Sequence, residues 1–584
     1  MDVEEPELGV GRVAEAVRDP CRRRDKASRP GSEDLVADEE LGLAGEDVER
    51  VDVILVDVRV DALEVRAEAQ LDDLELRQLA EDAVVALGPL DPFPAFGAER
   101  RDPVGGHASS LAVGQHARIV ALRLRGGICS LGVLAVALAS CAAGGARTAT
   151  GSFASNDPLL NLIWADSVRT AADMLAPGPL TTDALDRPCA IDLPTVILDG
   201  TVRDRCPYVG DEAVIGPTLD VSRPHWAVQR AMLVWFAAHQ HPDGAIPASP
   251  LVHGQIVLID YNAYWVLALY NYVLYSGDVG LARQVWPHLV KLLDGWYPAH
   301  THDGLLVNDE NLGDYGFQLP GQLVAYYNAQ YSLALEHAAQ LARWLGDAQD
   351  EARWLARRRP IARAFTRVFW DAKAGAFVDT TKDRATHPED AQAFAILAGL
   401  ATPKQATAAL AYLGVHEWRG YGQTVTDTGS WDGPAVGGDV QDRVYPFISY
   451  FEVLARYAAG QPEIALQLIR REWGYMAKNG PSTNRGTMWE TIGPYGGGPV
   501  NVHQSWDAGW SSGAAPALTN YVLGVQPTSP GYATFKVTPR QGDLAWARGS
   551  VVTPHGLLTV SWQRTAGSVR LHVTAPAGTR WIRS

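Results

Sequence analysis

The chain has 584 residues, 47% of them hydrophobic and 20% charged, a globular composition that excludes wholesale disorder. Its formal net charge of −17 argues against nucleic acid as the main partner. Five cysteines, at 21, 129, 141, 189 and 206, are too few and too scattered for a disulfide scaffold or a zinc cluster.

The charge is not evenly spread. Residues 1–118 hold 28 Asp+Glu against 14 Lys+Arg, whereas the rest of the chain holds 39 against 36. All 18 Trp and all 20 Tyr lie beyond position 118, the first Trp being Trp164. A stretch so poor in aromatics has little with which to build a core. Two readings stay open for 1–118. One is an acidic, mostly unpacked extension. The other is a wrongly extended reading frame upstream of the true start, which the Val/Asp/Glu/Arg/Ala bias fits better.

In the next segment, 119–145, basic residues (Arg118, Arg123, Arg125) precede a mostly apolar run from Ile128 to Ala139 and the small residues Ala142 to Gly145. This order describes a secretory signal, too short to span a bilayer as a helix. The tetrad Leu138-Ala139-Ser140-Cys141 resembles the bacterial lipobox, which implies lipidation of Cys141, a membrane attachment, and a cell-surface or secreted protein. An ordinary buried helix with an incidental cysteine is the alternative.

From Asn156 onward apolar residues recur at three and four, predicting helices over 157–174, 224–239, 262–275, 279–293, 322–345, 347–369, 390–400, 403–413, 445–459, 462–478 and 510–523. Paired helices joined by Gly-, Pro- and Asp-rich loops predict a mainly α fold, an (α/α)6 barrel of six hairpins over 150–523. Beyond Leu523 the texture alternates. Strands are expected at 531–536, 548–553, 556–562 and 569–574, making a small C-terminal β-sandwich over 524–584 that packs on the barrel.

No P-loop, dinucleotide fingerprint, zincin motif or Gly-x-Ser-x-Gly occurs, and no cofactor or metal is expected. What stands out is carboxylates and aromatics in loops. Asp199, Arg203, Asp204, Arg205, Asp211 and Glu212 crowd one Gly/Pro-containing stretch, read as an irregular loop. Close charges of both signs can separate carboxyl pKa values, as acid–base chemistry requires, though most such loops are solvated surface. A second cluster is Thr487-Met488-Trp489-Glu490, then a Gly-Pro-Tyr-Gly-Gly-Gly loop, His503 and Ser505 to Gly513. A third comprises Asp260 to Trp265 with Asp309 and Asp314. In each, packing and capping remain open as alternatives. Sugar rings present C–H faces to aromatics and hydroxyls to carboxylates, so aromatics beside acids fit a glycan site.

Taken in order, these motifs resemble the bacterial α-L-rhamnosidases over about 150–575. The signature loop is similar to Asp199-x-x-x-Arg203-Asp204-Arg205-x-x-Tyr208-x-Gly210-Asp211, and the opening to Asp157-Pro-Leu-Leu-Asn-x-Ile-Trp164. The second hairpin is similar to Asp260-Tyr261-Asn262 with Gly277-Asp278, and the second catalytic segment to Thr487–Glu490. Gly509 to Gly513, Tyr521 to Val525 and Thr553-Pro554 resemble the passage into the C-terminal domain. The resemblance implies inverting hydrolysis of terminal α-L-rhamnosyl residues from plant or bacterial glycans or glycosides, Asp204 being the general acid and Glu490 the general base. It implies further that Asp199 and Asp211 bind hydroxyls or tune the acid, that Arg203 orients the carboxylates, and that Tyr261, Trp265, Asp314, Trp489, His503 and Trp510 contact sugar. Three departures stand out. Asp204 replaces the commoner Glu, Ala508 replaces the usual His before Gly-Trp-Ser, and residues 1–150 offer no counterpart to the β-sandwich domains that usually precede the barrel. A glycan-binding lipoprotein without turnover, or an (α/α)-barrel glycosidase for another sugar, remain the alternatives.

Overall fold

The computed structural model describes residues 149–584 apart from 179–180, 183–187, 203–204, 251–256, 309–312, 314–320, 429–441, 483–484, 500–503, 567 and 584, together with the backbone of 51–57 and 118–124. The chain divides into units Met1–Gly145 and Ala146–Ser584. In the first, Val51–Asp57 pairs antiparallel with Arg118–Leu124, Val51 opposite Leu124. Arg118 and Arg123 of the expected leader thus lie in a strand, while its apolar run and Cys141 fall outside the described residues.

In the second unit the predicted helices are present. They are α1 (Pro158–Asp173), α3 (Trp226–Ala238), α4 (Ile259–Ser276), α5 (Val279–Lys291), α6 (Ala325–Leu345), α7 (Ala348–Phe369), α8 (Glu389–Leu397), α9 (Pro403–His416), α10 (Pro446–Ala458) and α11 (Pro462–Asn479). The last helical segment is irregular: a 3-10 stretch Gly509–Gly513, an α-turn Ala514–Ala517 and a π-turn Leu518–Leu523. One helix was not legible. Residues Val209–Ser222 form α2, where the sequence read as loop through Glu212. Every residue of α2 is buried, so it shows no apolar stripe and the helical periodicity vanishes. Gly210 is required there, because a Cβ at that position would lie 2.4 Å from the Tyr261 ring.

Six segments form a closed inner ring. α2 packs on α4, α4 on α6, α6 on α8, α8 on α10, α10 on Gly509–Gly513, and that turn returns to α2. The remaining helices, α1, α3, α5, α7, α9 and α11, stand outside it and alternate with the inner ones along the chain, which is the six-hairpin (α/α)6 barrel. This alternation makes the inner helices parallel, so their N-termini and the loops before them share one end. The lumen behind that end is filled by Tyr264, Tyr326, Phe394, Phe447 and Phe451, whose rings lie 4.6–6.2 Å apart in successive pairs.

A repeat hidden in the sequence secures the loops at that end. The fourth residue of α4, α6 and α8 is an amide that accepts from a loop backbone: Asn262 from Ile246 N–H at 2.7 Å, Asn328 from Leu306 N–H at 2.8 Å, Gln392 from Phe377 N–H at 2.7 Å. Asn328 and Gln392 also donate to the carbonyls of the same partners. Buried loop backbone needs such partners.

The C-terminal domain has strands β2 (Val525–Pro527), β3 (Thr534–Val537), β4 (Trp546–Thr553), β5 (Gly556–Thr565), β6 (Ser568–Thr574) and β7 (Arg580–Trp581), and borrows β1 (Ser152–Ser155) from ahead of the barrel. The four-stranded sheet runs β6-β5-β4-β1, all antiparallel, with Ala547 opposite Ser155, and the three-stranded sheet runs β2-β3-β7. Trp562 Nε1 donates to Val522 O at 2.8 Å, tying the sheet to the end of the barrel.

Candidate active site

At the N-terminal end of the inner ring three chain segments meet edge to edge. The short strand Thr195–Ile197 delivers Asp199, whose carbonyl accepts from Gly509 N–H at 2.8 Å, and Gly200 pairs with Ala508 as an antiparallel bridge. Ala508 N–H donates onward to Met488 O at 3.0 Å, and Thr201 N–H donates to Asp507 O at 3.1 Å. Residues 199–202, 488–490 and 505–510 therefore form one seam, built of backbone groups that secondary structure alone leaves unpaired.

Glu490 sits in this seam and is 2% exposed. Its N–H donates to Ser505 O at 2.9 Å, and its carboxylate Oε2 accepts from Ser505 N–H at 2.7 Å. Ser505 Oγ in turn accepts from Val202 N–H at 3.1 Å. A single residue thus touches both Glu490 and the segment leading to Arg203 and Asp204. Trp510 Nε1 donates to Glu490 O at 2.9 Å, and its ring stacks on Phe447 at 5.1 Å.

Asp199 and Asp211 are both buried, the latter on the first turn of α2. Tyr261 lies at the N-terminus of α4, edge-on to Tyr208 and Tyr264 at 6.2 and 6.0 Å. Trp489 is edge-on to Trp506 at 4.7 Å. The structure thus brings Asp199, Glu490, Trp489 and Trp510 together, with Asp211 and Tyr261 on the two adjacent inner helices. Trp265 is placed otherwise: it is fully buried in the wall and its Nε1 donates to Leu233 O of α3 at 3.4 Å, a packing position. Arg203, Asp204, Asp314 and His503 lie outside the described residues.

A disulfide between Cys189 and Cys206, with Cα atoms 5.7 Å apart, closes the segment containing Asp199 and Asp204. The five cysteines are too scattered in sequence to suggest a disulfide scaffold, yet these two are bonded. A spacing of 17 carries no signal by itself, and only the fold of the loop brings them together. Ser505 was missed as well, because its backbone and not its side-chain type holds Glu490. Within the seam, burial pushes the Asp507 carboxyl up to about 7, with Asp173 adding to the rise and Arg169 opposing it. Among the described residues no group of three or more His, Cys, Asp or Glu is arranged to hold a metal ion, and no helix is long and apolar enough to cross a membrane.

Residues 187–429 match the bacterial alpha-L-rhamnosidase six-hairpin glycosidase domain, and residues 524–582 match the bacterial alpha-L-rhamnosidase C-terminal domain. An alpha-L-rhamnosidase of Alteromonas sp. (strain LOR) is 27% identical over 135 residues, a stretch that is 20% of this chain and 13% of that protein. One from Streptomyces avermitilis is 26% identical over 131 residues, 21% of this chain and again 13% of the relative. Among solved structures, a rhamnosidase of Bacillus sp. GL1 aligns with TM-score 0.60 and 22% identity, covering 74% of this chain and 42% of that one. The Streptomyces avermitilis alpha-L-rhamnosidase in complex with L-rhamnose aligns with TM-score 0.56 and 19% identity, covering 74% and 38%. These structural likenesses establish the fold, and the aligned part is less than half of either solved chain. With residues 187–429 of its barrel and 524–582 of its terminal domain matched, the chain belongs to the bacterial alpha-L-rhamnosidase family of six-hairpin glycosidases.

Proposed function

We propose that the protein hydrolyses terminal α-L-rhamnosyl residues with inversion at the anomeric carbon. Asp204 protonates the departing glycosidic oxygen, and Glu490 deprotonates a water on the opposite face of the sugar. Both are needed together, because positive charge builds on the ring as the leaving-group bond breaks, and a poor leaving group requires its proton in the same step. The observation that carries this reading is the link through Ser505, which joins Glu490 to the segment running into Asp204. It supports placing two carboxyl groups nearly 290 residues apart in sequence at one rim. Asp199, Asp211, Tyr261, Trp489 and Trp510 are the sugar contacts this reading retains.

The test is a panel of p-nitrophenyl glycosides, with proton NMR of the released sugar in the first minutes. Release from the α-L-rhamnoside alone, with inverted configuration, is the expected result. A retained anomer would place the carboxyl groups at about 5 Å and remove the mechanism. Glycan binding without any release would favour the non-catalytic reading that Ala508 invites.

We infer also that the protein is exported and lipidated at Cys141. The Cys189–Cys206 bridge supports an oxidising compartment. Cys141→Ala should move the protein from the membrane to the soluble fraction, and mass spectrometry of an unmodified Cys141 in the native protein would refute the lipidation.

A further inference from the structure

The glycine-rich loop after Glu490 is absorbed neither by the barrel nor by the proposed chemistry. It leaves the seam at Glu490 and returns at Ser505, and the two ends are clamped together by the reciprocal bonds between those residues. Both ends of the loop are therefore at the site, and residues 493–498 lie against the C-terminal end of α11, whose Tyr475 bonds Gly496, on the same rim.

Its residues 493–498 are firmly built. Gly493 N–H donates to Gly497 O at 2.9 Å and Gly497 N–H to Pro494 O at 3.1 Å. Tyr475 Oη donates to Gly496 O at 2.7 Å, and Tyr495 N–H donates to Tyr421 Oη at 3.1 Å, whose proton goes to Asp442 O at 3.0 Å. Gly498 lies so close on Trp506 that a Cβ there would come within 2.1 Å of the ring. The aromatic floor continues inward from Tyr421 through Tyr475 to Trp489, with centroids 6.1 Å apart at each step, so it runs back to the residue beside Glu490.

On this floor Tyr495 adopts φ of 60°, the left-handed region, and its side chain is 89% exposed. A non-glycine residue there costs on the order of 1 kcal/mol or more and persists where the surroundings over-determine it. Glycine is the default occupant, and the loop uses glycine at 493, 496, 497 and 498. At Tyr495, the one non-glycine residue with positive φ among the described residues of the loop, it presents a large aromatic to solvent instead. A scattered exposed aromatic needs no explanation; one held outward by a strained, hydrogen-bonded loop at the rim of a sugar site does.

We propose that Tyr495 is a stacking platform for the ring of the leaving group, the sugar or aromatic ring joined through the bond that is cut. This rests on the reading that a terminal sugar is removed: the cleaved residue occupies the inner end, against the filled lumen, and the rest of the substrate projects over the rim. An exposed phenol ring presents a flat face to pyranose C–H groups or to an aryl ring, and both are the same contact chemistry.

The test compares wild type, Tyr495→Ala, Tyr495→Trp and Tyr495→Gly on methyl α-L-rhamnoside, on a rhamnosyl-hexose disaccharide and on an aryl α-L-rhamnoside. Loss of the ring should lower kcat/KM about tenfold through KM on substrates with a ring leaving group, the size of one aromatic contact. Methyl rhamnoside should be unaffected, and Trp should restore the loss. A loss on the disaccharide alone identifies a sugar-binding platform, and a loss on the aryl glycoside alone an aglycone platform. Tyr495→Gly relieves the backbone strain, so its melting temperature should not fall while its KM rises with that of Tyr495→Ala. Equal losses on methyl rhamnoside, or none on either ring-bearing substrate, overturn the platform. If wild type releases no sugar, the rhamnosidase reading fails by itself, and calorimetric titration of the same disaccharide into wild type and Tyr495→Ala still decides: equal affinities overturn the platform.

Discussion

Ser505 donates its backbone N–H to Glu490 Oε2 at 2.7 Å while its hydroxyl accepts from Val202 N–H at 3.1 Å. The two bonds are separable by mutation. Ser505→Ala keeps the bond to Glu490 and removes the anchor of the segment entering Asp204. We expect kcat to fall about tenfold with KM little changed, since a sub-ångström misplacement of an acid is felt in the transition state. Ser505→Thr, which restores a hydroxyl, should recover most of the loss. A uniform fall in stability without a change in kcat would assign Ser505 to packing alone.

Removing either proposed carboxyl group should be far more severe. Asp204→Asn and Glu490→Gln are each expected to lower kcat by about a hundredfold or more, as loss of a general acid or base does. Circular dichroism and the melting transition should match wild type. Full activity in either variant would remove that residue from the mechanism.

The Cys189–Cys206 bridge closes a loop whose covalent constraint is worth about 3 kcal/mol in lost chain entropy of the unfolded state. Denaturant unfolding of the Cys189→Ser/Cys206→Ser double variant should show that loss. Activity of the reduced protein should fall before the global transition, because the loop it closes contains Asp199 and Asp204. Equal midpoints with and without reductant would show that the bridge does not form.

Stability should decline as pH rises. Burial holds the carboxyl groups of Glu389, Glu417 and Glu472 well above their usual range, and the neighbouring Glu452 reinforces this for all three. Burial likewise raises Asp220 to about 8, against hydrogen bonds from Gln229 and Trp226 that oppose the rise. Each group stays protonated in the folded protein and ionises in the unfolded chain. Its contribution is therefore intact below about pH 4 and is lost progressively up to the folded pKa, about 8 for Asp220, at about 1.4 kcal/mol per pH unit per group. Glu389→Gln should raise the melting temperature at pH 8 and leave it nearly unchanged at pH 4. A melting temperature that climbs from pH 5 to pH 8 in wild type would contradict the assignment.

The sequence by itself determined a great deal here. Amphipathic helices such as α7 and α11 announce themselves because one face meets the core and the other meets water, so periodicity survives in the residue order. The alternating strands β4 and β5 do the same at a period of two. Asp211, Trp489 and Glu490 are singled out in the sequence by the order of motifs that resembles the bacterial α-L-rhamnosidases, since residue type alone leaves packing and capping open. What only the tertiary structure decided is of another kind. Helix α2 is wrapped on all sides, so no face distinguishes itself in the sequence. Cys189 and Cys206, Asn262 and Ile246, Ser155 and Ala547 become partners only when the chain returns on itself. Trp265, one residue from Tyr264 of the lumen, turns into the wall because successive helix positions point about a hundred degrees apart. Ser505 holds Glu490 with a backbone N–H, a group every residue but proline carries, and only the fold selects which N–H reaches the carboxylate.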